Sequence, residues 1–296
     1  MKIAITGSSG LIGSALVPAL HEDGHTVLRL VRRAPSAPDE ARWDPSRGEL
    51  DPALLADVDA VVNLAGVGIG DKRWTDERKR AVLDSRVEAT RTVSDALIAA
   101  APRSRTLLSA SAVGWYGDTG DHPVDESAPA GTDFLAQVCA RWEEATAAAE
   151  QAGVRVAHLR TGLVCGRGGL LARLLPLAKA GVNVPLGSGK QYWSWISLAD
   201  EIGAMRHVLG NEDITGAVNL TGPDPVTNRA FTRTLGTVLH RPVLPVRVPR
   251  LALRVLVGEF ADIGIVMGQR VLPRVLQDTG YRFQHRTAEE ALRWAT

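Results

Sequence analysis

The chain has 296 residues and 45% hydrophobic content, enough for one large α/β domain carrying a smaller lobe or for two domains. A formal net charge of +1 argues against a nucleic-acid or anionic-membrane binder driven by bulk charge, and no run approaches the ~18 apolar residues of a membrane span. Cys139 and Cys165 lack metal-ligand spacing or a disulfide framework, the seven histidines are scattered, and the first strand begins two residues after Met1; a cytoplasmic protein with reduced thiols, no signal peptide and no metal is expected.

An apolar strand over Ile3–Thr6 runs straight into Thr6-Gly7-Ser8-Ser9-Gly10-Leu11-Ile12-Gly13, and a helical pattern follows over Leu11–Glu22. Each glycine has a physical task in a dinucleotide site. Gly7 permits the tight turn, Gly10 lets the backbone approach a pyrophosphate, and Gly13 lets helix and strand pack closely. The helix N-terminus then offers unpaired N–H groups and a positive dipole end to the phosphates. The second strand, Thr26–Val31, ends in Arg32-Arg33 with no acid in place. An Asp or Glu there would accept hydrogen bonds from a ribose 2′-hydroxyl and repel a 2′-phosphate, whereas a guanidinium grips the phosphate. NADP(H) is therefore the expected cofactor, held by Arg32, with Arg33 the better candidate for a solvated strand-end charge.

Further strands are expected over Asp59–Leu64, Thr106–Ala110, Val154–Leu159 and Ala217–Leu220, with a short one at 39–43. Helices are expected over Asp76–Ala100 and Leu135–Ala152. This alternation predicts an α/β fold, a Rossmann-like doubly wound parallel sheet whose C-terminal strand ends form the ligand edge. After Gly166 the chain is punctuated by glycine and proline, and amphipathic helices are expected at Arg250–Gly258 and Gly268–Gln277. The predicted division is a dinucleotide-binding domain at 1–165 with a return segment at about 196–221. Residues 166–195 and 222–296 then form a small C-terminal substrate lobe. No internal repeat or low-complexity segment is visible.

With these pieces in order the chain resembles the extended short-chain dehydrogenase/reductase superfamily over essentially its whole length. The match rests on Thr6-Gly7-x-x-Gly10-x-x-Gly13, Asn63-Leu-Ala-Gly66, Ser109-Ala-Ser111 with Trp115-Tyr-Gly117, and Leu159-Arg-Thr-Gly162. Finer stretches resemble an NAD-dependent epimerase/dehydratase-like branch with a C-terminal domain of unknown function. They include Arg73-Trp-Thr75, Ser85-Arg86, Gly187-Ser-Gly-Lys-Gln191, Trp195-Ile196, Asn219-Leu-Thr-Gly-Pro223, Gly258-Glu259 and Gly268-Gln-Arg270. The resemblance implies a cofactor site built from Gly7, Ser8, Ser9, Gly10, Leu11, Ile12, Gly13, Arg32, Leu64, Ala65, Gly66, Ser109, Arg160 and Gly162. Arg86, which stands where the superfamily usually has asparagine, is implied to reach the cofactor, the rival reading being a surface salt bridge. A homodimer through the helices after the fourth and fifth strands is common in the superfamily and is carried over as an expectation.

One departure weighs against an enzyme. Reductases of this superfamily use Tyr-x-x-x-Lys on the helix after the fifth strand, the lysine lowering the tyrosine pKa and holding the ribose. Alignment on Trp142-Glu143 puts these positions at Leu135 and Cys139, and no Tyr-x-x-x-Lys occurs anywhere in the chain. Ser111 occupies the superfamily's active-site serine position; it either bonds a substrate carbonyl or satisfies backbone groups at a strand end. Tyr116 is the best candidate for a proton donor, with packing beside the nicotinamide as its rival. Asp118, Asp121, Asp125 and Glu126 form a polar loop that is solvated or supplies one general base, and Lys72-Arg73-Trp74 offers an anion contact or surface charge. Gln191 and Trp195, with Tyr192 and Trp193, are expected to wall the substrate pocket, core packing being the rival.

Two functions follow. The first is an NADP(H)-dependent oxidoreductase or epimerase acting on a small polar or sugar-like molecule with a non-standard proton donor. The second is a catalytically silent NADP(H)-binding sensor or scaffold, for which the cell-division association of related plastid and cyanobacterial proteins is a precedent.

Overall fold

The computed structural model describes residues 1–100 and 106–296. In chain order the first half gives β1 (Lys2–Thr6), α1 (Leu11–Glu22), β2 (Thr26–Val31), β3 (Glu40–Arg42), β4 (Ala60–Asn63), α2 (Asp76–Ala100), β5 (Thr106–Ala112), β6 (Pro123–Val124), α3 (Phe134–Glu144), α4 (Ala147–Gln151) and β7 (Arg155–Thr161). There follow β8 (Leu163–Cys165), α5 (Gly169–Lys179), β9 (Tyr192–Trp193), β10 (Trp195–Ser197), α6 (Leu198–Gly210), β11 (Gly216–Leu220), β12 (Val226–Thr227), α7 (Asn228–Val238), α8 (Arg250–Val257), β13 (Arg270–Val271), α9 (Arg274–Asp278) and α10 (Ala288–Ala295). A seven-stranded sheet runs in the order β11-β7-β5-β4-β1-β2-β3, and all its pairings are parallel. This is the expected Rossmann-like architecture.

Strand alternation explains why both faces are covered. Ile3, Ile5, Val62, Leu108 and Leu159 enter one core with Leu16 and Leu20 of α1 and Met205 of α6. Their neighbours Ala4, Val61, Leu107 and Val156 enter the opposite core with Ala89, Val93 and Leu97 of α2. Buried on both sides, such strands read as nearly continuous apolar runs. A third cluster joins Trp193, Trp195, Phe231 of α7 and Leu292 of α10.

Three expectations are corrected. The helix expected over Leu135–Ala152 breaks at Ala145-Thr146, where the Thr146 hydroxyl lies 2.8 Å from the Glu143 carbonyl and offers the backbone an alternative to the helical ladder. The helix expected over Gly268–Gln277 is strand β13 followed by the single turn of α9. The chain end is also not wholly in the lobe: Leu276 of α9 is buried in the core beneath β1 and β11. Asp200 of α6 anchors the following segment, accepting from Tyr281 Oη at 3.0 Å, Gln284 N at 2.7 Å and His285 N at 2.9 Å. Among the described residues no helix is long and apolar enough to cross a membrane.

Glu201, next to that anchor, is 1% exposed. Its Oε1 accepts from Thr161 Oγ1 at 2.8 Å while Oε2 has no partner among the described residues. Burial pushes its carboxyl up to about 8, outweighing the favour that a first-turn carboxylate normally finds at a helix N-terminus. Between its ordinary value of 4.5 and about 8 the folded protein holds a proton that the unfolded chain releases, so stability falls as pH rises through that window. Glu201→Gln is expected to flatten this slope and to melt above the wild type at pH 8.5. Thermal melts from pH 5 to pH 9 test it, and parallel curves for the two proteins would refute the assignment.

Candidate functional site

The ends of β1, β2, β4, β5 and β7 meet along one edge, and the glycine turn lies at its centre. Gly7 sits at φ +66°, and a Cβ there would come within 2.7 Å of the Leu64 carbonyl oxygen. A Cβ on Gly13 would lie 2.7 Å from Ser8 Cα and closer still to the Gly7 carbonyl oxygen. Gly10 differs: one atom, the Gly7 carbonyl oxygen at 3.3 Å, lies near its would-be Cβ, so its outer side is open. Gly10 is also the N-cap of α1; no side chain caps it, and the first turn carries no acid. The Gly10 amide itself donates to the Gly7 carbonyl at 3.0 Å; the N–H groups of the first turn of α1 and the positive helix end face an external anion. The turn is held to β4 by Thr6, whose hydroxyl donates to Asn63 Oδ1 at 2.7 Å and accepts from Leu64 N and Ala65 N at 3.0 and 3.1 Å. Asn63 Nδ2 in turn donates to Thr90 Oγ1 at 2.9 Å.

At the end of β2 the two arginines separate. Arg33 pairs with Glu40, Nη2 to Oε1 at 2.5 Å, and that hydrogen bond with the Ser36 amide holds the Glu40 carboxyl down at about 2. Arg32 is exposed and has no partner among the described residues. The arginine expected to bind the cofactor is thus the free one.

Beyond β4, Arg86 of α2 stretches beneath Gly66. Its Nη1 donates to the carbonyls of Val82 and Val67 at 2.9 and 3.1 Å, and its guanidinium lies 4.9 Å over the Trp142 ring. A Cβ on Gly66 would sit 3.4 Å from Arg86 Cγ and Cζ. No carboxylate pairs with Arg86 among the described residues, so the surface salt bridge is not formed. Burial lowers its pKa to about 10, which leaves it charged at neutral pH.

The positions aligned with the superfamily's missing pair do face this edge. A Cβ on Gly114, just beyond β5, would lie 3.4 Å from Leu135 Cβ and 3.6 Å from Cys139 Sγ. Burial pushes the Cys139 thiol up to about 12, and its Sγ donates to the Ala112 carbonyl at 3.6 Å. It is a neutral packing group.

Ser111 and Tyr116 belong to a closed buried network. Ser111 Oγ donates to Glu143 Oε1 at 2.6 Å, and Glu143 also accepts from Arg160 Nε and Nη2, both at 2.9 Å. Arg160 Nη1 donates to Tyr116 Oη at 3.0 Å, and that hydroxyl donates to Asn219 Oδ1 at 2.7 Å. The Arg160 guanidinium stacks 3.8 Å from the Trp115 ring. Ser111 and Arg160 are 4% exposed and Tyr116 5%. Burial pushes the Tyr116 hydroxyl up to about 12, against the opposing pull of Arg160. Burial also works against the Arg160 charge, but Glu143 and Tyr116 outweigh it and raise its pKa. Tyr116, expected as a proton donor, and Arg160, expected at the cofactor, are both engaged in internal pairing. Glu143 and Asn219, absent from the expected site, are its hubs. Ser109 is fully buried and its hydroxyl has no partner among the described residues. Gly162 serves packing: a Cβ there would overlap the Ser194 carbonyl.

The lobe reaches the same edge through residues 166–169. Cβ atoms on Gly168 and Gly169 would lie 2.9 and 3.4 Å from the side chain of Leu11 at the start of α1. Gln191 and Trp195, expected at the substrate pocket, are buried and internally bonded. Gln191 is 8% exposed and donates to the Leu186 carbonyl at 2.9 Å; Trp195 is fully buried, its Nε1 donating to the Asp224 carbonyl at 2.8 Å. Trp195 and Trp193 belong to the third core cluster. The aromatic group that does lie between lobe and edge is Trp74, with Phe134 and Phe260 each 5.3 Å away. In the polar loop, Asp118 and Asp125 cap local turns, and Glu126 Oε1 accepts from Asn219 N and Val275 N at 3.0 and 3.2 Å. Among the described residues no group of three or more metal-ligating side chains occurs.

Comparison with known proteins agrees with this geometry. The model of the NAD dependent epimerase/dehydratase family matches residues 3–220, and a domain of unknown function, DUF1731, matches residues 248–295. Epimerase family protein Mb2239 of Mycobacterium bovis is 50% identical over 295 residues, covering 99% of this chain and 97% of its own. The crystal structure of human epimerase family protein SDR39U1 with NADPH superposes with a TM-score of 0.89 at 29% identity, covering 100% of this chain and 99% of that one. A nucleoside-diphosphate sugar epimerase from Corynebacterium glutamicum gives a TM-score of 0.81 at 33% identity, over 100% of this chain and 59% of that one. With a family match over most of its length and the cofactor turn intact, the chain belongs to the NAD-dependent epimerase/dehydratase family.

Proposed function

We propose that the protein binds NADP(H) and acts as an epimerase- or reductase-like protein on a small polar or sugar-like molecule. The observation that carries the cofactor choice is Arg32, exposed and unpaired at the end of β2 while Arg33 is occupied by Glu40. The backbone from Gly7 to Gly13 would take the pyrophosphate, Arg32 the 2′-phosphate, and Leu64 to Gly66 the riboside beyond. The human relative crystallised with NADPH supports the same choice. Bound here, the cofactor would supply hydride chemistry. The chain's own part is to bind and orient, because Ser111 Oγ and Tyr116 Oη already spend their protons on Glu143 and Asn219. The proton must then come from solvent or from the substrate itself.

A second reading is a silent NADP(H) sensor or scaffold, favoured by the closed Ser111–Glu143–Arg160–Tyr116 network. Oxidation of bound NADPH by any member of a carbonyl-substrate panel would separate the two readings, since a silent binder consumes none.

Parallel fluorescence titrations with NADPH and NADH test the cofactor. NADPH should bind at least tenfold tighter, about 1.4 kcal/mol. Arg32→Ala should remove most of that preference by weakening NADPH alone. Equal affinities in the wild type would discard the role of Arg32.

A further inference from the structure

We propose that the cavity between Pro223 and the segment from Gln277 to Arg286 is a second ligand site, which takes a small anion carrying a flat ring, of the class of a nucleoside monophosphate.

The cavity measures about 400 Å³ and is lined by Pro223, Gln277, Tyr281, Arg282, Phe283 and Arg286. That is toward the lower end of small-molecule sites, roughly 300–1,000 Å³. It is remote from the glycine turn. Pro223 follows β11, the edge strand, which lies four steps across the sheet from β1, or roughly 19 Å at about 4.8 Å per strand.

The lining segment is fixed from beneath. Asp200 is fully buried, and its carboxylate accepts from Tyr281 Oη, Gln284 N and His285 N. A Cβ on Gly203 of α6 would overlap the Tyr281 hydroxyl, so glycine there lets the ring dock on the helix. Tyr281 and Phe283 meet edge to face, their centroids 4.9 Å apart, and both pack on the core beneath β1 and β11. Farther along, Glu290 accepts from the Arg286 and Thr287 amides at 2.6 and 2.9 Å.

This fixed segment presents unpaired cations outward. Arg282 and Arg286 are exposed, and neither guanidinium has a partner among the described residues; nor has the side-chain amide of Gln277. No carboxylate lines the cavity. The acids that follow in the chain are committed, Asp278 to Arg274, Glu289 to Arg293 and Glu290 to backbone amides. A phosphate supplies the missing counter-charge, and guanidiniums grip it with paired hydrogen bonds. Tyr281, Phe283 and Pro223 supply an apolar wall for a flat ring, on which a guanidinium also stacks. Phosphate alone would leave that wall unused, and a ring alone would leave the cations unpaired. Because the segment is already ordered, little freedom is lost on binding.

Calorimetric titration of purified full-length protein, with NADPH held at saturation, tests the site with AMP, adenosine and inorganic phosphate. AMP is expected to bind saturably, with adenosine and inorganic phosphate each at least tenfold weaker. The double variant Arg282→Gln with Arg286→Gln should lose AMP affinity at least tenfold, melt as the wild type does and keep its NADPH affinity within twofold. Arg286→Lys, which keeps the charge without the planar fork, should fall between the two. No saturable binding of AMP, or AMP affinity untouched in the double variant, would overturn the proposal. Inorganic phosphate binding as tightly as AMP would overturn it as a site for ring-bearing anions. The AMP difference between wild type and double variant is read with or without NADPH, so a failure of the NADP(H) reading is seen separately.

Discussion

Gly13→Ala is expected to cut NADPH affinity at least a hundredfold, although it adds a single methyl group. The reason is where that methyl would go. Gly13 is buried in the first turn of α1, and an ideal Cβ would fall 2.7 Å from Ser8 Cα, with the Gly7 carbonyl oxygen nearer still. Both atoms are backbone, so no side chain can rotate away. Relief requires α1 to move off the turn, and the same movement shifts the open helix end that would hold the pyrophosphate. Overpacking of a core ordinarily costs about 1–3 kcal/mol, so melting should fall as well. Gly210→Ala is the control: its Cβ would meet nothing within 4 Å at the end of α6, and it should bind NADPH as the wild type does. Fluorescence titration of the three proteins measures the effect. A Gly13→Ala protein binding NADPH within threefold of the wild type would remove the glycine turn from the cofactor site.

The legible parts of this protein are those whose signals are local. The bounds of α1 and α2 follow from apolar periodicity, and Asp59–Leu64 and Thr106–Ala110 read as strands, observed at Ala60–Asn63 and Thr106–Ala112, because burial on both faces makes them apolar runs. The glycine turn was legible for the same reason, since seven consecutive residues carry its geometry. The lobe was harder. Its strands β9, β12 and β13 have two residues each, too few to show a period, and α5 carries Pro176 inside it, which reads as punctuation. Better signals were present at Ser197, Thr227 and Thr287, each of which accepts a hydrogen bond from the amide three residues on; Thr287 with Glu290 forms a capping box. The buried network was beyond local reading. Arg160 meets Glu143 across 17 residues and Tyr116 meets Asn219 across 103, so only the folded chain reveals that Tyr116 is occupied. Composition likewise cannot say whether an aromatic run such as Tyr192 to Trp195 lines a cavity or fills a core.

Glu143→Leu is expected to destabilise the protein by about 3–5 kcal/mol, the usual result of leaving one partner of a buried ion pair alone. The pair is nearly dry, with 5% and 8% of the Arg160 and Glu143 side chains exposed. Leucine would remove the acceptor for Arg160 Nε and Nη2 and for Ser111 Oγ, three hydrogen bonds between 2.6 and 2.9 Å. The guanidinium cannot shed its charge, and the stacked Trp115 ring gives it no hydrogen-bond acceptor. A fall in melting temperature on the order of ten degrees follows. The double variant Glu143→Leu with Arg160→Met should recover most of that loss, because a matched apolar pair removes the stranded charge along with its partner. This comparison also bears on function. If the network only scaffolds the β5 and β7 ends, the double variant binds NADPH as tightly as the wild type once it is folded. Were Glu143 instead required to keep Ser111 poised against a substrate, the double variant would still bind NADPH but lose turnover with any substrate found. A single Glu143→Leu variant melting within one or two degrees of the wild type would mean that the pair is not the buried clasp described here.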